Sequence, residues 1–425
     1  MVKMHSNTDV YIVGGIRTPF ARGFGRLASY SNRELMVHVL NELINKYEMH
    51  GMQLGEVALG AVLKDPRDYN LARDAVLSTQ LDPKTPGIDL QRACATSLSA
   101  LIHVALKIKT GQIDCGIAGG VDSISQSPVS RSEQSEKGTK TLLSNKAGKI
   151  SQAIHRLKNF PDFPTFVQVE ECATGLSMGE SMELTARKWK IQREDQDQYA
   201  YASHQKALIA NRTNFFDSIV PLNGLDHDDN VRESSLEKLA QLKTVFSNDR
   251  EATLTAGNST ALTDGAAAIL LGTKDWAEKN NLPLLAKFKA FDESAIEFSK
   301  SEELLLGPAY SIPKLLLRNN LKLGDIDFYE IHEAFAAQTL CVIKALTDQN
   351  FLIKNEALEI SSPLECEKIN TYGGSLAVGH PFAATGSRLI LSLAKQLSHS
   401  SKNYGLASSC TAGGMAVSIL LESLH

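Results

Sequence analysis

The sequence predicts an α/β fold in which a mostly parallel sheet is covered by helices on both faces. Short apolar runs alternate along the chain with longer segments whose apolar residues recur at helical spacing. The short runs are apolar at nearly every position, which is typical of strands that are buried on both faces. The order of elements in the first part of the chain is repeated near its end. We therefore expect two similar α/β halves.

The predicted elements of the first half follow this alternation. In chain order they are a strand at 10–13 that ends in Gly14 and Gly15, a helix at 33–47, and strands at 56–63 and 114–121. From Ser123 to about Leu254 the sequence is more polar, and it contains predicted helices at 181–190 and 194–211. Acidic residues in the first turn of the second of these helices are favoured by the helix dipole. The strand pattern resumes at 265–271, so we interpret the polar region as an insertion between two strands.

The predicted elements of the second half repeat those of the first. They are a strand at 284–290, a helix at 312–320, a strand at 328–331, and two late strands at 404–409 and 415–421. The repetition is clearest where 113–120 and 404–414 each end a strand in small residues and glycine.

Size and charge exclude several classes of protein. A chain of 425 residues is long enough for two to three domains of about 150 residues each. Lys and Arg number 44 against 48 Asp and Glu, so the net charge of −4 gives no global basic field and argues against general nucleic-acid binding. No apolar run approaches the ~18 residues of a membrane span, so no integral membrane segment is expected.

The cysteines and the start of the chain bear on its compartment. Six cysteines are widely scattered and none form a CxxC pair, which disfavours a zinc ribbon or a redox pair. Reduced thiols in a cytosolic enzyme fit this pattern better than a disulfide framework. The first ten residues lack the apolar core of a secretory signal and an Arg-rich presequence. We therefore expect a cytoplasmic protein, or a mitochondrial-matrix protein from which a presequence has been removed.

The first candidate site is the segment RACATS at 92–97. Apolar residues at helical spacing follow it, so a helix is predicted to begin just after Cys94. A thiol at a helix N-terminus has its thiolate stabilised by the exposed amides and the dipole. The alternative is a buried structural cysteine, as most free cysteines are, and this segment alone favours that alternative.

The second candidate site is the segment YGGSLAVGHPFAATG at 372–386. Pro381 suits the first turn of a helix, which places His380 just before a helix start. The positive end of the dipole lowers the pKa of such a histidine and keeps it neutral, so that it can accept a proton. The glycines indicate close approach of the backbone to a ligand. A nucleotide-binding loop is the competing interpretation, which the lack of GxGxxG and GK[ST] patterns disfavours.

The third candidate site is CTAGG at 410–414, where Cys410 ends a predicted strand and enters a tight turn. Exposed amides in such a turn can donate hydrogen bonds to a developing oxyanion. The alternative is a core cysteine beside a structural turn, and the segment alone favours it.

The fourth candidate site is HEAFAAQ at 332–338, where a strand is predicted to end and a helix to begin at His332 and Glu333. A histidine here could donate to a carbonyl oxygen or hold a water. The alternative is a helix cap with Glu333 in the first turn. The pattern is not HExxH, because position 336 is alanine, so we expect no zinc-protease site and no bound metal.

Two cysteines and two histidines thus lie at strand ends or helix starts. Such termini gather at the carboxyl edge of a doubly wound sheet. Together the four segments would supply a nucleophile, a base, a second acid/base and oxyanion donors. This set suits acyl transfer through a thioester.

These motifs, in this order, resemble those of the thiolases. The resemblance runs from IVGGIRTPFARGFG at 12–25 through RACATS, GNSTALTDGAAA at 257–268, HEAFAAQ and YGGSLAVGHPFAATG to CTAGG, nearly the whole chain. Within the family, the chain is most similar to the degradative 3-ketoacyl-CoA thiolases (acetyl-CoA acyltransferases). Most thiolases have asparagine where this chain has His332, and the histidine resembles the β subunit of the fatty-acid β-oxidation trifunctional complex. Phe382 and Ala383 also resemble this β-subunit type.

The resemblance implies a fold of two βαβαβαββ halves stacked in five α-β-α-β-α layers, with a loop domain that covers the site and binds coenzyme A. On this basis residues 1–123 form the N-terminal half, completed by 260–281. Residues 124–259 form the loop domain, and residues 282–425 form the C-terminal half.

The resemblance also implies the reaction and the roles of the candidate residues. A 3-ketoacyl-CoA is cleaved with CoA to acetyl-CoA and a shortened acyl-CoA, and Cys94 carries the acyl group in between. His380 is the base for the Cys94 thiol, and Cys410 exchanges protons with the acetyl-CoA enolate and with incoming CoA. The thioester oxygen lies between His380 and His332, or a water that His332 holds. The amides of Cys94 and Ala412 face the tetrahedral intermediate; position 412 is often glycine in the family, and a positive φ there would be costly for alanine.

The remaining implied residues and partners concern substrate binding and assembly. Thr260 matches a residue that meets the pantetheine of CoA, Met178 and Phe335 match residues of the thioester pocket, and Arg232 matches a CoA-contacting arginine. CoA is a substrate, and no cofactor is implied. Thiolases are homodimers or homotetramers, and the degradative type also joins a hydratase/dehydrogenase α subunit. The basic excess in 125–158 could face CoA, a partner or solvent.

Two other functions are compatible with the sequence. The same site could run the reverse condensation, as in a biosynthetic acetoacetyl-CoA thiolase, although His332 favours degradation. A non-catalytic CoA- or lipid-binding relative would be expected to have lost a reactive side chain, whereas all four are present here. A fatty-acid ketosynthase shares the fold, but Cys410 in the CTAGG turn argues against that activity.

Overall fold

The computed structural model describes residues 8–126, 170–298 and 303–425. Within these ranges ten strands form one sheet. The strands are β1 (Val10–Arg17), β2 (Ala21–Arg22), β3 (Glu56–Leu59), β4 (Gly87–Asp89), β5 (Cys115–Asp122), β6 (Thr263–Gly272), β7 (Ala286–Ala295), β8 (Phe328–Ile331), β9 (Tyr404–Thr411) and β10 (Met415–Glu422). Their order across the sheet is β4-β3-β5-β6-β1-β7-β10-β9-β8, and β2 pairs with β6 off this path.

The helices of the described residues lie between these strands. They are α1 (Asn32–Lys46), α2 (Leu71–Leu77), α3 (Thr96–Lys109), α4 (Met178–Lys188), α5 (Arg193–Arg212), α6 (Leu236–Ala240), α7 (Lys274–Lys279), α8 (Pro308–Arg318), α9 (Ala336–Thr347), α10 (Gln349–Lys354), α11 (Ser375–Val378) and α12 (Thr385–Ser398). Short 3₁₀ turns occur at Leu323–Asp325, Leu358–Ile360, Cys366–Lys368 and Phe382–Ala384.

The helices predicted at 33–47, 181–190, 194–211 and 312–320 are confirmed within a few residues at each end as α1, α4, α5 and α8. The start of α1 shows why the pattern was informative. The Ser31 hydroxyl accepts the Glu34 amide proton, and the Glu34 carboxylate accepts the Ser31 amide proton, so the first turn satisfies its own donors. The apolar residues of α1 then recur at helical spacing and are buried.

The prediction of a mostly parallel sheet is wrong. Three pairs in the described residues are parallel, namely β3 with β4, β3 with β5, and β8 with β9. The other pairs, including the central β1–β6 and β1–β7 pairs, are antiparallel. A buried apolar run does not encode the direction of its strand. Direction comes from the connections, and the short turn at 412–414 between β9 and β10 permits only an antiparallel pair.

The first strand also runs further than predicted, through Gly14 and Gly15 to Arg17. These glycines mark close contacts rather than the end of the strand. A Cβ at Gly14 would lie 1.8 Å from the Tyr47 hydroxyl oxygen, and one at Gly15 would lie 2.5 Å from the carbonyl oxygen of Ala268 in β6.

The five-layer arrangement is confirmed by the hydrophobic cores. One core packs α1 and α2 on the outer face of the first half of the sheet. Another packs α8 and α9 on the outer face of the second half. Between the two halves, α3 and α12 share a core with strands of both, including Ile269 from β6 and Val417 from β10. The two central helices are therefore covered by sheet on both sides, which places their N-terminal ends inside the molecule.

The two halves are similar but not identical. In the first half β3 has β4 as its outer parallel neighbour. At the corresponding place in the second half, a single parallel bridge joins Tyr329 of β8 to Ile369. No helix in the described ranges is both long and apolar enough to span a bilayer.

Candidate functional site

The four predicted reactive residues lie at the ends of elements, as expected. Cys94 lies just before α3, and His380 lies just before the 3₁₀ turn that leads into α12. His332 directly follows β8, and Cys410 is the penultimate residue of β9. The structure brings Cys94, His332 and His380 together: one ligand-type atom from each lies within 4.8 Å of those from the other two. Cys410 lies close enough for the charge of Cys94 to affect its pKa.

Cys94 and His380 form a direct pair. The Cys94 Sγ lies 3.2 Å from the His380 Nε2. The His380 backbone amide donates to the Thr263 hydroxyl at 2.7 Å, and its Nδ1 lies 2.5 Å from the Thr385 hydroxyl oxygen. For Nε2 to accept the thiol proton, Nδ1 must carry the ring proton and donate it to Thr385. Thr263 and Thr385 thus fix the position of the base, and the Thr385 hydroxyl can accept the hydrogen bond that this tautomer donates.

The turn before α3 presents Cys94 through a strained backbone. Ala93 has a φ of +40°, a conformation that costs a non-glycine residue energy. Thr96 holds this turn, because its hydroxyl accepts the Arg92 amide proton at 2.9 Å and donates to the Ala93 carbonyl at 2.7 Å. The nucleophile is therefore positioned by backbone geometry rather than by a flexible loop.

Burial, and not the helix dipole, dominates the protonation of the pair. The pKa of Cys94 is raised to about 12, chiefly by burial and secondly by the nearby Asp122, while the amides of Ala412 and Cys94 act in the opposite direction. The amides thus favour the thiolate, as predicted, but burial outweighs them and the resting thiol is protonated. Burial lowers the pKa of His380 to about 3, and the Arg388 cation adds to this effect. The neutral histidine is confirmed, with desolvation as the first cause.

Two backbone amides point at the reactive sulfur. The N–H groups of Cys94 and Ala412 both interact with the Cys94 Sγ, so they lie beside the space that the oxygen of an acyl group attached to this sulfur would occupy. The left-handed residues of the turn after β9 are Gly413 and Gly414, with φ of +79° and +64°, so alanine at 412 carries no such strain. The Gly413 amide donates to the Glu171 carboxylate at 2.5 Å, which ties this turn to the segment before α4.

His332 is buried beside His380, and the two ring centroids lie 4.0 Å apart. Its backbone amide donates to the Ser408 carbonyl of β9 at 2.8 Å. Its Nδ1 lies 2.8 Å from the Ser375 hydroxyl oxygen, whereas its Nε2 has no hydrogen-bond partner among the described residues. Burial lowers the pKa of His332 well below the ordinary value, and His380 and Arg388 lower it further, so the ring is neutral.

Cys410 is fully buried near the end of β9. Burial raises the pKa of its thiol well above the ordinary value, and the negative charge of a Cys94 thiolate would raise it further. At rest Cys410 is therefore a protonated thiol, which can act as an acid.

Three of the predicted substrate-binding residues lie around this centre. The Thr260 amide donates to the Ala334 carbonyl at 3.1 Å, and its hydroxyl donates to the Ser375 carbonyl at 2.7 Å. Phe335 packs edge-on against Phe246 with 5.6 Å between ring centroids. Phe246 in turn lies against Gly179, next to Met178 at the start of α4.

Arg232 belongs to a different cluster. Its guanidinium donates to the backbone carbonyl and side-chain oxygen of Asn230 at 3.2 and 3.0 Å. It lies near Arg22 and His204, and it lowers the pKa of the buried His204 imidazole. No contact given by the described residues joins Arg232 to the four reactive side chains. The basic excess predicted at 125–158 lies almost wholly outside the described residues.

Glu333 does not cap a helix, so that alternative is wrong: α9 begins at Ala336, with Phe335 as its N-cap. Glu333 is instead a buried carboxylate that accepts four hydrogen bonds. The donors are Tyr199 Oη at 3.1 Å, Ser203 Oγ at 2.8 Å, Asn370 Nδ2 at 2.6 Å and the Leu376 amide at 3.1 Å. Nothing in the sequence pairs Glu333 with these donors, which lie up to 134 positions away from it. By contrast, Thr385 lies five residues after His380, and that spacing could have identified it.

The cluster of Cys94, His332 and His380 is also the group in the described residues whose side chains could hold a metal ion. A thiolate and two imidazoles are typical ligands of a soft divalent cation. The expectation of no bound metal stays a prediction.

Comparison with known proteins places this geometry in a family. The family models described as the thiolase N-terminal and C-terminal domains match residues 10–275 and 282–423. A 3-ketoacyl-CoA thiolase of Shewanella woodyi is 37% identical over 428 residues, which cover 97% of this chain and 96% of that protein. Its counterpart in Shewanella denitrificans is 36% identical over 99% of this chain and 98% of that protein.

Solved structures agree with these matches. The Bacillus anthracis acetyl-CoA acetyltransferase is 28% identical, with a TM-score of 0.82 over 99% of this chain and 100% of that chain. The human mitochondrial 3-ketoacyl-CoA thiolase in complex with CoA is 26% identical, with a TM-score of 0.83 over the same shares. Because both family models match in order and together span most of the sequence, this chain belongs to the thiolase family.

Proposed function

We propose that this chain is an acetyl-CoA C-acyltransferase that cleaves a 3-ketoacyl-CoA with CoA to acetyl-CoA and a shortened acyl-CoA, as a step of fatty-acid β-oxidation. The observation that carries the proposal is the 3.2 Å contact between Cys94 Sγ and His380 Nε2, with two backbone amides directed at the same sulfur. The Cys94 sulfur thus has a base within hydrogen-bond reach and two backbone amides beside it, as a nucleophile with an oxyanion site requires.

In the first half-reaction, the Cys94 sulfur attacks the ketone carbon of the substrate while its proton passes to His380 Nε2. The oxyanion of the tetrahedral adduct faces the amides of Cys94 and Ala412. The bond between the second and third carbons then breaks, and its electron pair forms the enolate of acetyl-CoA. Cys410 gives that enolate its thiol proton, and the acyl group remains on Cys94.

In the second half-reaction, the Cys410 thiolate takes the proton from the thiol of incoming CoA. The CoA sulfur attacks the acyl group on Cys94, again through an oxyanion at the two amides. When the thioester to Cys94 breaks, His380 returns the proton to the Cys94 sulfur. The enzyme then has the same protonation as at the start, and CoA serves as a substrate rather than a cofactor.

The enolate oxygen needs its own donors. In this proposal it lies between His380, which is protonated after the attack, and the buried His332. Both rings are neutral at rest, so neither presents a fixed cation that would hold the substrate as strongly as the transition state.

We infer further features from the family, and each is a proposal. Residues 124–259 form a loop domain in which Arg232 contacts CoA, while Thr260 meets the pantetheine and Met178 and Phe335 line the thioester pocket. The protein acts as a homodimer or homotetramer, with a hydratase/dehydrogenase α subunit as a further partner. We expect it to work in the cytoplasm, or in the mitochondrial matrix after loss of a presequence.

The acyl-enzyme is the direct test of the proposal. The protein is incubated with acetyl-CoA, quenched in acid and digested, and the cysteine peptides are analysed by mass spectrometry. We expect an acetyl group on Cys94 that is absent from Cys94→Ala and unchanged in Cys366→Ser, whose thiol is exposed. Absence of label on every cysteine, with CoA still bound, would support a non-catalytic CoA-binding protein instead.

The preferred direction is tested with the same protein. A chain-length series of 3-ketoacyl-CoA substrates, each with CoA, measures degradation, and acetyl-CoA alone measures condensation. Faster cleavage of substrates longer than acetoacetyl-CoA supports the degradative function. Activity restricted to acetoacetyl-CoA and acetyl-CoA supports a biosynthetic thiolase.

A further inference from the structure

Behind His332, buried polar side chains form a hydrogen-bonded chain to which the reaction steps above assign no role. The Arg388 Nη2 donates to the Ser375 hydroxyl oxygen at 3.0 Å, and that oxygen lies 2.8 Å from the His332 Nδ1. The Arg388 Nη1 donates to the Glu330 carboxylate at 3.1 Å, which balances the buried cation. All four side chains are at most 1% exposed.

The direction of these hydrogen bonds follows from the groups involved. A guanidinium only donates, so Arg388 occupies a lone pair of the Ser375 oxygen and leaves the Ser375 proton free to donate. Among the described residues, the other polar atom in hydrogen-bond contact with this oxygen is the His332 Nδ1. If Nδ1 carried a proton, it would donate to the second lone pair of the Ser375 oxygen, and the buried Ser375 hydroxyl proton would then lack an acceptor among the described residues, which is costly. The arrangement that satisfies the Ser375 hydroxyl has Ser375 donating to an unprotonated Nδ1.

We propose that Arg388 and Ser375 are positioning residues that hold neutral His332 as the tautomer with its proton on Nε2, so that this nitrogen donates a hydrogen bond into the reaction site. The Nε2 is the buried atom of the ring with no partner among the described residues. The assignment of the thioester oxygen of the substrate as the acceptor of this hydrogen bond rests on the proposed function. The assignment of the tautomer does not.

With this tautomer, the two neighbouring imidazoles have opposite hydrogen-bonding roles. The His380 Nε2 accepts a proton from Cys94, so its ring proton lies on Nδ1 and faces Thr385. The His332 Nε2 donates, so its Nδ1 accepts from Ser375. An asparagine at 332 would present an N–H group without any such control, because its amide always carries two protons. A neutral histidine can adopt either of two tautomers, and Arg388 with Ser375 stabilises one of them.

The tautomer can be measured directly in the resting full-length protein. The chain is labelled with carbon-13 and nitrogen-15 histidine, and the His332 ring signals among the 11 histidines are identified by their loss in His332→Asn. We expect the ring carbon and nitrogen shifts of the Nε2–H tautomer at neutral pH, without substrate. Signals of the Nδ1–H tautomer, or of an even mixture, would overturn the proposal. This readout does not depend on thiolase activity, so it separates failure of this inference from failure of the proposed function.

A double-mutant cycle tests whether Ser375 acts through His332. Removal of one oxyanion donor lowers kcat by about 10²–10³-fold in other enzymes. Since Ser375→Ala retains the imidazole, we expect a smaller loss of roughly tenfold in kcat, with KM nearly unchanged. In the His332→Asn background, Ser375→Ala should cause no further loss. An equal loss in both backgrounds would mean that Ser375 supports the structure only. Ser311→Ala, which removes another buried hydroxyl with one hydrogen bond, serves as the control.

Discussion

Cys94 Sγ lies 3.2 Å from His380 Nε2, although 286 positions separate the two residues in the chain. The N-terminal ends of α3 and α12 pack directly against each other and so bring the two together. The Ser387 amide of α12 donates to the Ser97 hydroxyl of α3 at 2.9 Å. A Cβ at Gly386 would lie 2.6 Å from the Leu98 Cγ and 3.0 Å from the Leu98 amide nitrogen, so glycine allows this approach.

Gly386→Ala should therefore separate the nucleophile from its base. The added methyl group must push α12 away from α3, because one of its close neighbours is backbone. A misplacement of about 1 Å can cost up to 10²-fold in rate, so we expect kcat to fall by roughly 10–100-fold. Thiolysis of a 3-ketoacyl-CoA, followed by the loss of its absorbance, measures the effect. Gly23→Ala, where the nearest atom would lie at 3.4 Å, should keep near-normal activity; a similar loss in both variants would contradict the argument.

The raised pKa of Cys94 predicts a particular pH dependence for its alkylation. Only the thiolate reacts with iodoacetamide, and burial holds the pKa of this thiol at about 12. Between pH 7 and 9 the thiolate fraction, and hence the rate, should rise about tenfold per pH unit without a plateau. The rate is measured for the Cys94 peptide by mass spectrometry, with the exposed Cys366 peptide from the same digest as a check on the reagent.

A different pH dependence of the Cys94 alkylation rate would contradict this prediction. A rate that levels off near neutral pH would indicate a resting thiolate–imidazolium pair. In that case the helix dipole and His380 would outweigh burial.

The five layers were implied by the resemblance to the thiolases, whereas the helices could be predicted from hydrophobic spacing, which their caps reinforce. The α1 helix shows both signals, with its Ser31–Glu34 cap and its buried apolar face. Strand direction could not be predicted, since β6 is buried along its whole length and β9 at every residue but the first, and such runs contain no directional signal. The glycines of β1 were misread for a related reason: their contacts with Tyr47 and Ala268 come from distant parts of the chain.

The reactive residues could be predicted because each lies in a short motif at the end of an element. Their electrostatics could not, because the pKa of Cys94 depends on how completely the surrounding layers exclude water. The supporting residues were missed for a third reason. Glu333, Ser375 and Arg388 lie within or beside the motifs, but their roles depend on partners from several segments.

Glu333→Gln should weaken both the fold and the site. The carboxylate accepts four hydrogen bonds, whereas an amide has one acceptor oxygen and places its NH₂ group against at least one donor. A buried donor without a partner costs about 1–3 kcal/mol, so the free energy of unfolding in urea should fall by that amount. Because Glu333 adjoins His332, kcat should fall as well. Glu278→Gln, at an exposed carboxylate, should change neither; unchanged stability in Glu333→Gln would contradict the role assigned to this residue.

Breaking the buried ion pair of Arg17 and Asp228 should lower the free energy of unfolding by more than Glu333→Gln does. The guanidinium donates to both carboxylate oxygens, at 2.6 and 2.7 Å, and both side chains are at most 1% exposed. Asp228 also accepts the Phe20 amide proton at 2.9 Å, so the pair joins β1 and the segment after it to a segment 211 positions away. Arg17→Met would leave the carboxylate charged and buried without its cation, which typically costs about 3–5 kcal/mol.

Urea unfolding at several protein concentrations measures this loss and separates it from any effect of subunit association. Arg17→Met/Asp228→Asn should recover part of the loss, because it removes the unpaired charge and keeps an acceptor for Phe20. Lys274→Met, which breaks an exposed i,i+4 pair with Glu278, should change stability by less than about 0.5 kcal/mol. If the double variant were no more stable than Arg17→Met, the loss would stem from the guanidinium's packing between the Phe20 and Phe216 rings rather than from the buried charge.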